Sequence, residues 1–525
     1  MERHFPRLSR LASAVALAWA AALAWVLLQD WRMAAGCAAL FVAGLLVRFP
    51  FAGLLFTAGV VFVGTPSLKI THAVGVVTNL FPAMLLLPPV LLGFLARRAV
   101  SPRRAAPLPV PDSPLFPFVL AVAALHVLAS LWAPHTRFAV GQLVTLGFDV
   151  TLFFCLLATV RTTARLRTLL GTMVASAVIV CAAMVCGALY DWAGAIHLGR
   201  GVELNFELFS ETRWGRIGGL CSANQAGGFL VMAAFVAFGL SRLYRRAARA
   251  GLCLLAFACV TFVVVSGSRG AILGLLGAAG TFMLLTPAIR RRLLSRSALL
   301  VVVLAAAILA GKPSFIDRLL VGFGYSGPLL FTETKNTSES AANVSGSGAR
   351  FRMWQDALSV MADRPELLLS GLGPGGFIWH TREPEVHSLW LAFFFDLGLP
   401  GGLVGLLGLA ALAASLARAV RRTPDGPGRT LFLSVLTGCG AELFIHSLID
   451  HDLTSPVSRF AWLYLAVLAA ALEVVRHEEA VPGRVRPARA LALPRHVLPP
   501  RPLRPGEEAE ALASASANQR QRLRA

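Results

Sequence analysis

Three side chains in this sequence suit work on an anionic substrate. His387 carries an imidazole, a group able to take or give a proton near neutral pH, and Arg269 and Arg350 carry guanidiniums that can grip phosphate in a bidentate fork. Arg269 stands in Ser266-Gly267-Ser268-Arg269-Gly270, between two apolar segments. The charge pattern along the chain puts that turn on the non-cytoplasmic side, where an arginine runs against the positive-inside bias. Two readings of it stand: a cation for phosphate or pyrophosphate, or a guanidinium that snorkels to the headgroups. The flanking glycines and serines would let a ligand approach the backbone closely.

Residues 350–363 have a 3.6-residue periodicity that gathers Phe351, Trp354, Leu358 and Met361 on one helix face. Arg350 flanks that face beside Trp354, whereas Arg352 points away from it with Asp356 and Asp363. Of the two, Arg350 is the candidate to reach a site beneath the helix, and Arg352 the solvated partner of Asp356. The bland alternative is an amphipathic helix lying on the bilayer. The glycine-rich run Gly371–Phe377 has no strand before it, so it reads as a tight turn returning the chain to the membrane rather than a phosphate loop. His380 and His387 follow it. His387 lies where the chain returns to the membrane, on the same side as Arg269, either as a general base or as a structural interfacial histidine.

A second polar cluster comprises His446, Asp450, His451 and Asp452. His446 and Asp450 are four apart and would share a helix face. Their number and spacing fit no strong metal pattern, so helix-end hydrogen bonding is the preferred reading. Asp149 and Glu442 lie within apolar spans and are expected to be paired in the interior.

The elements that must position these groups are membrane spans. Of 525 residues, 56% are hydrophobic and 14% charged, against about 25% charged in soluble domains. Apolar runs fall near 11–29, 33–47, 51–65, 76–95, 115–132, 143–160, 168–190, 224–241, 251–266, 270–286, 297–310, 388–417, 430–448 and 458–475. Each is expected to be a helix, because lipid leaves no other way to satisfy the backbone of an isolated segment. The fold expected is all-α: a polytopic membrane protein of about 12–14 transmembrane helices with one large extramembrane loop containing short helices. The first apolar run follows Arg3, Arg7 and Arg10 like a signal peptide, but more spans follow at once, and an uncleaved first span is the better reading.

A formal charge of +21 suggests nucleic acid until its placement is considered. Arginine clusters at 97–98, 103–104, 161–167, 242–249, 290–292 and 418–422 sit between spans, on one side of the membrane if the N-terminus is inside. That is topology, not a nucleic-acid face. Both termini are then cytoplasmic, and the loop at 311–386 is not. The organisation expected is an N-terminal bundle over 1–310, the loop over 311–386, C-terminal helices over 387–480 and a disordered basic tail over 481–525 that can rest on anionic lipid. All eight cysteines but Cys221 lie in apolar runs, with no disulfide framework or zinc spacing.

Taken in order, several motifs resemble the O-antigen ligase and polymerase superfamily of bacterial envelope glycosyltransferases. They are Arg216-Ile217-Gly218-Gly219 leading to Asn224, then Ser268-Arg269-Gly270-Ala271, then Gly348-Ala349-Arg350 with Trp354 and Ala357-Leu358. Pro365, the Gly371–Phe377 turn, His387 and Asp396-Leu397-Gly398-Leu399-Pro400-Gly401 complete the set. The resemblance covers roughly Arg216 to Leu403. Two departures stand out: Ser388 where the family usually has asparagine after the histidine, and Asp396 where it often has glutamate.

The resemblance implies transfer of a glycan from an undecaprenyl-pyrophosphate donor at the periplasmic face of the inner membrane, without metal or cofactor. His387 would be the base, with Arg269, Arg350 and Arg216 binding substrate. Lipid A–core is the acceptor in the ligase branch, the leading expectation. A lipid-linked repeat in the polymerase branch, or Ser or Thr of a secreted protein, are the alternatives. A different class, a lipid-linked oligosaccharide flippase, would place ionisable groups near the bilayer midplane, whereas here they gather at one surface.

Overall fold

The computed structural model describes residues 31–63, 67–71, 77–80, 82–100, 115–189, 194–199, 202–206, 211–212, 216–218, 222–286, 346–381, 388–423, 426–448 and 458–479, with Leu220 and Val386. All described elements belong to one unit, Met1–Val481. The spans expected at 11–29 and 297–310 and the basic tail lie outside the described residues.

The helices are α1 (Trp31–Arg48), α2 (Pro50–Val63), α3 (Pro82–Val100), α4 (Leu115–Ala129), α5 (Thr136–Thr159), α6 (Thr163–Leu189), α7 (Ala223–Ser241), α8 (Arg246–Val265) and α9 (Arg269–Leu285). After the stretch outside the described residues come α10 (Gly346–Asp363), the short α11 (Glu366–Ser370) and α12 (Gly376–Thr381), then α13 (Leu389–Arg422), α14 (Pro427–Phe444), a 3₁₀ turn (His446–Leu448) and α15 (Ser458–Glu479). Among the described residues, seven helices are long and apolar enough to cross a membrane, and four more stretches are apolar but shorter. The architecture is that of an all-α polytopic membrane protein, with short helices between its long ones.

Strands occupy two of the connections. The strands β1 (Ser67–Thr71), β2 (Val77–Leu80), β3 (Gly194–Gly199) and β4 (Val202–Phe206) form an antiparallel sheet in the order β2-β1-β4-β3. A separate pair, β5 (Glu211–Thr212) and β6 (Arg216–Ile217), precedes α7. This corrects the span expected over 76–95. Residues 77–80 are extended and the helix begins only at Pro82, because the position before a proline disfavours helical geometry while proline itself suits a first helical turn. The pairing of β1 with β4, Ser67 opposite Asn205, holds the β1–β2 and β3–β4 connections at one end of the bundle.

The opposite end is rich in arginine. Arg97 Nη2 donates to the Arg48 carbonyl at 2.6 Å, joining the ends of α1 and α3. Arg165 Nη1 caps the Thr159 carbonyl at 2.7 Å and lies over the Phe51 ring. Buried Glu473 receives Arg476 at 3.4 Å, and burial lowers the Arg161 pKa against the opposing field of Glu473. Between the ends, α7, α14 and α15 are buried over most of their length, while α8 is apolar but scarcely buried, as a lipid-facing helix should be.

The loop's short helices are fastened to the bundle by backbone. Gly398 adopts φ +67° inside α13, and Pro400 follows it, so the carbonyls of Phe395 and Asp396 lose their normal helical donors. Leu372 N donates to Phe395 O at 2.7 Å, and Gly373 N to Asp396 O at 3.1 Å. Gly371 and Gly398 meet backbone to backbone, each with positive φ and no room for a Cβ. Trp132 Nε1 donates to Ser370 O at 3.2 Å, tying the end of α4 to the same turn.

Gly398→Ala should therefore destabilise the protein by about 2 kcal/mol or more, from left-handed backbone strain plus collision with the Leu369 carbonyl. Gly251→Ala, in open space on α8, should be neutral or stabilising by up to about 1 kcal/mol. Thermal unfolding of both variants in the same detergent checks the contrast, and equal midpoints would contradict it.

Candidate active site

Arg269 is the first residue of α9 and is half-buried. Its position is set by two buried serines. The Ser266 hydroxyl donates to Val263 O at 2.7 Å and accepts from Ser268 N at 3.2 Å. Ser268 is the N-cap, its Oγ accepting from Ala271 N at 3.3 Å, and Gly267 makes the turn with φ +64°. The two hydroxyls thus hold the turn itself in shape. What the turn offers is the guanidinium, set on the positive end of the α9 dipole.

This turn packs on α7. A Cβ at Gly227 would lie 2.8 Å from both Ala271 Cβ and Ser266 Oγ. The start of α7 is fixed by a capping box, with Ser222 Oγ accepting from Gln225 N at 3.3 Å and Gln225 Oε1 from Ser222 N at 3.2 Å. The next residue, Gly228, faces His446, whose Nδ1 would be 2.7 Å from a Cβ placed there. His446 Nδ1 lies 2.7 Å from Glu442 Oε2, and both side chains are fully buried. The interior pairing expected for Glu442 is therefore found. His446 thus pairs with the glutamate four residues before it, across the point where α14 ends at Phe444 and the chain tightens to a 3₁₀ turn. Residues 450–452 lie outside the described residues.

On the other flank, Trp390 of α13 stacks on Phe444 of α14 at 6.5 Å between ring centroids. Ser388 caps α13, its Oγ accepting from Leu391 N at 3.4 Å. Asparagine and serine are both leading N-cap residues, so the departure from the family pattern at this position keeps the helix start. Trp354 Nε1 donates to Val386 O at 2.8 Å, which ties α10 to the chain immediately before His387.

The packed stripe of α10 is Met353, Ala357 and Met361, with Trp354 and Val360 partly buried. Leu358 is 48% exposed, which shifts the predicted apolar face round the helix toward Met353. Asp356 and Asp363 are exposed, as expected. His387 lies outside the described residues. Arg350 and His380 are placed by backbone on α10 and α12, and Arg216 by backbone on β6.

The structure thus brings the Arg269 turn and the residues flanking His387 to the sheet end of the bundle, with α14 between them and α10 hydrogen-bonded to Val386. The glycine-rich turn serves the chain itself, since its Leu372 and Gly373 amides bind α13. Among the described residues no group of three His, Cys, Asp or Glu could hold a metal ion. Arg459, near the start of α15, is 6% exposed and is not among the residues the motifs single out.

Compared with known proteins, residues 254–406 match the family model for O-antigen ligase. The match takes in Arg269, Arg350 and His387, whereas Arg216, Glu442 and His446 fall outside it. No curated protein matches the chain. The matched domain and the membrane architecture together support glycan transfer of the ligase or polymerase type. The chain contains an O-antigen ligase domain, and this supports its assignment to the O-antigen ligase and polymerase superfamily.

Proposed function

We propose that this protein transfers a glycan from an undecaprenyl-pyrophosphate donor to an acceptor hydroxyl at the periplasmic face of the bacterial inner membrane, as an O-antigen ligase acting on lipid A–core. His387 takes the proton of the acceptor hydroxyl, whose oxygen bonds to the anomeric carbon. The bond from that carbon to pyrophosphate breaks, and the lipid pyrophosphate leaves with the electron pair. Arg269 and Arg350 hold the pyrophosphate and neutralise the charge that develops on it. Arg216 contributes a further cation at the edge of the site.

What carries this reading is the arrangement of the supports. The Arg269 turn, the α10 helix and the start of α13 converge at one end of the bundle, joined by the Trp354–Val386 hydrogen bond and the Trp390–Phe444 stack. Helical spacing also favours position 350, which falls within about 60° of Met353 and Ala357 on the packed face, while position 352 falls toward exposed Asp356. Glycan analysis of a deletion strain tests the function. Lipid-linked glycan accumulating on the outer face, with unmodified lipid A–core, is the expected result. Glycan trapped inside would indicate a flippase, and loss of chain length or of protein glycosylation would indicate the other branches.

His387→Ala should abolish transfer while the protein still inserts, since a general base contributes about 10²–10⁴-fold in rate. Near-normal glycan display in a complementation assay would remove the base role.

Arg269→Lys should be nearly as damaging as Arg269→Ala, because lysine keeps the charge but loses the fork. Full activity in the lysine variant would reduce Arg269 to a point charge or a headgroup anchor.

Arg350→Ala should lose donor turnover and Arg352→Ala should keep it, the two positions standing about 200° apart around the helix. Turnover by the purified variants, with and without EDTA, reads both the arginines and the dependence on metal. Equal loss in the two variants would contradict the placement.

A further inference from the structure

Glu442 and His446 form a carboxylate–imidazole pair with both side chains fully buried, yet they lie beyond the stretch that matches the O-antigen ligase family. A buried ionisable pair carries a desolvation cost that packed apolar side chains of equal volume would avoid. Its geometry, unlike that of an apolar contact, is directional. The bond from Nδ1 to Oε2 spans the point where α14 gives way to the 3₁₀ turn, so it fixes the direction in which the chain leaves the helix.

The neighbours of this point are the supports of the proposed site. Gly228 of α7 lies against both members of the pair, and Gly227 beside it lies against Ser266, Ser268 and Ala271. On α9, a Cβ at Gly274, five residues after Arg269, would stand 3.4 Å from Glu442 Oε1. Between the two members of the pair, Phe444 stacks on Trp390, three residues after His387. One short stretch, 442–446, therefore touches the helix that carries Arg269 and the helix that follows His387.

We infer that the Glu442–His446 pair is a positioning pair of the transfer site: it fixes the outer end of α14 between α9 and α13 and so sets the separation of the Arg269 turn from the start of α13. This rests on the glycan-transfer reading above. The pair acts through those residues and does not itself touch substrate.

The test uses the purified full-length protein. Glu442→Leu should lower kcat per folded molecule about a hundredfold, the scale of a displacement of about 1 Å at a reacting centre. Glu442→Gln keeps an acceptor for Nδ1–H and should stay within about tenfold of wild type, with the pH profile unchanged. A second readout needs no activity. Spin labels at Leu273 of α9 and Leu399 of α13, both exposed, should give a narrow distance distribution in the parent and in Glu442→Gln, and a shifted or broadened one in Glu442→Leu. Should the leucine variant fail to fold, Gly228→Ala, which presses a methyl group on the pair from α7, should show the same loss of kcat and the same broadening.

An unchanged distance distribution together with wild-type kcat per folded molecule would overturn the inference. So would a displaced pH profile in Glu442→Gln, which would make the pair a carrier of protons. If no glycan transfer is found in the parent protein while the distances still shift in Glu442→Leu, the function proposed above fails and the positioning of α9 against α13 stands.

Discussion

Two backbone carbonyls, those of Phe395 and Asp396, govern how the extramembrane chain is joined to the bundle. A break in a membrane helix leaves acceptors that lipid cannot satisfy, so they must find donors within the protein. Here the break at Gly398 and Pro400 is mated to a turn that supplies them, Leu372 N to Phe395 O and Gly373 N to Asp396 O. Each motif satisfies the other: the amides of the turn find acceptors, and the carbonyls of the kinked helix find donors. Because α10 is itself joined to Val386 through Trp354, the whole of α10–α12 is held to the start of α13 by hydrogen bonds, not by apolar burial alone.

The remaining supports work by close approach. Gly227 and Gly228 let α7 come within contact of the α8–α9 turn and of the Glu442–His446 pair, where any side chain would hold the helices apart. Small residues at such crossings are how membrane helices gain contact in the absence of a hydrophobic driving force between them. The turn before α9 is then fixed from within by Ser266 and Ser268, so Arg269 projects from a backbone with little freedom. A rigid mount matters for a guanidinium that must meet a pyrophosphate in a bidentate fork.

Much of this was legible in the sequence. Apolar run length and arginine placement gave the helices and their order, because lipid punishes both unsatisfied backbone and misplaced charge. The glycines of 371–376 marked the turn there, whereas the caps at Ser268 and Ser388 and the break at Gly398 were not read from the sequence. What escaped was pairing across long separations. Nothing in Ser67–Thr71 announces that its partner is Val202–Phe206, since a short strand carries almost no register information on its own. The offset of the α10 face escaped for a related reason: the helix packs on its alanine and methionines, and Leu358, more apolar than Ala357, is left outside. The pairing of His446 with Glu442 escaped because a spacing of four residues fits Glu442 and Asp450 equally in the sequence.

The β1–β4 ladder has a consequence for how the protein is made. Ser67 pairs with Asn205, so the sheet begun by the hairpin that follows α2 is complete only after α3, α4, α5 and α6 have been synthesised. Until then the free edge of β1 presents unpaired amides and carbonyls, a template for pairing with any passing extended chain. Contacts of such long sequence separation form late. The ladder therefore closes across four intervening helices, and its β1 edge is covered only once residues 202–206 arrive on the same side of the membrane.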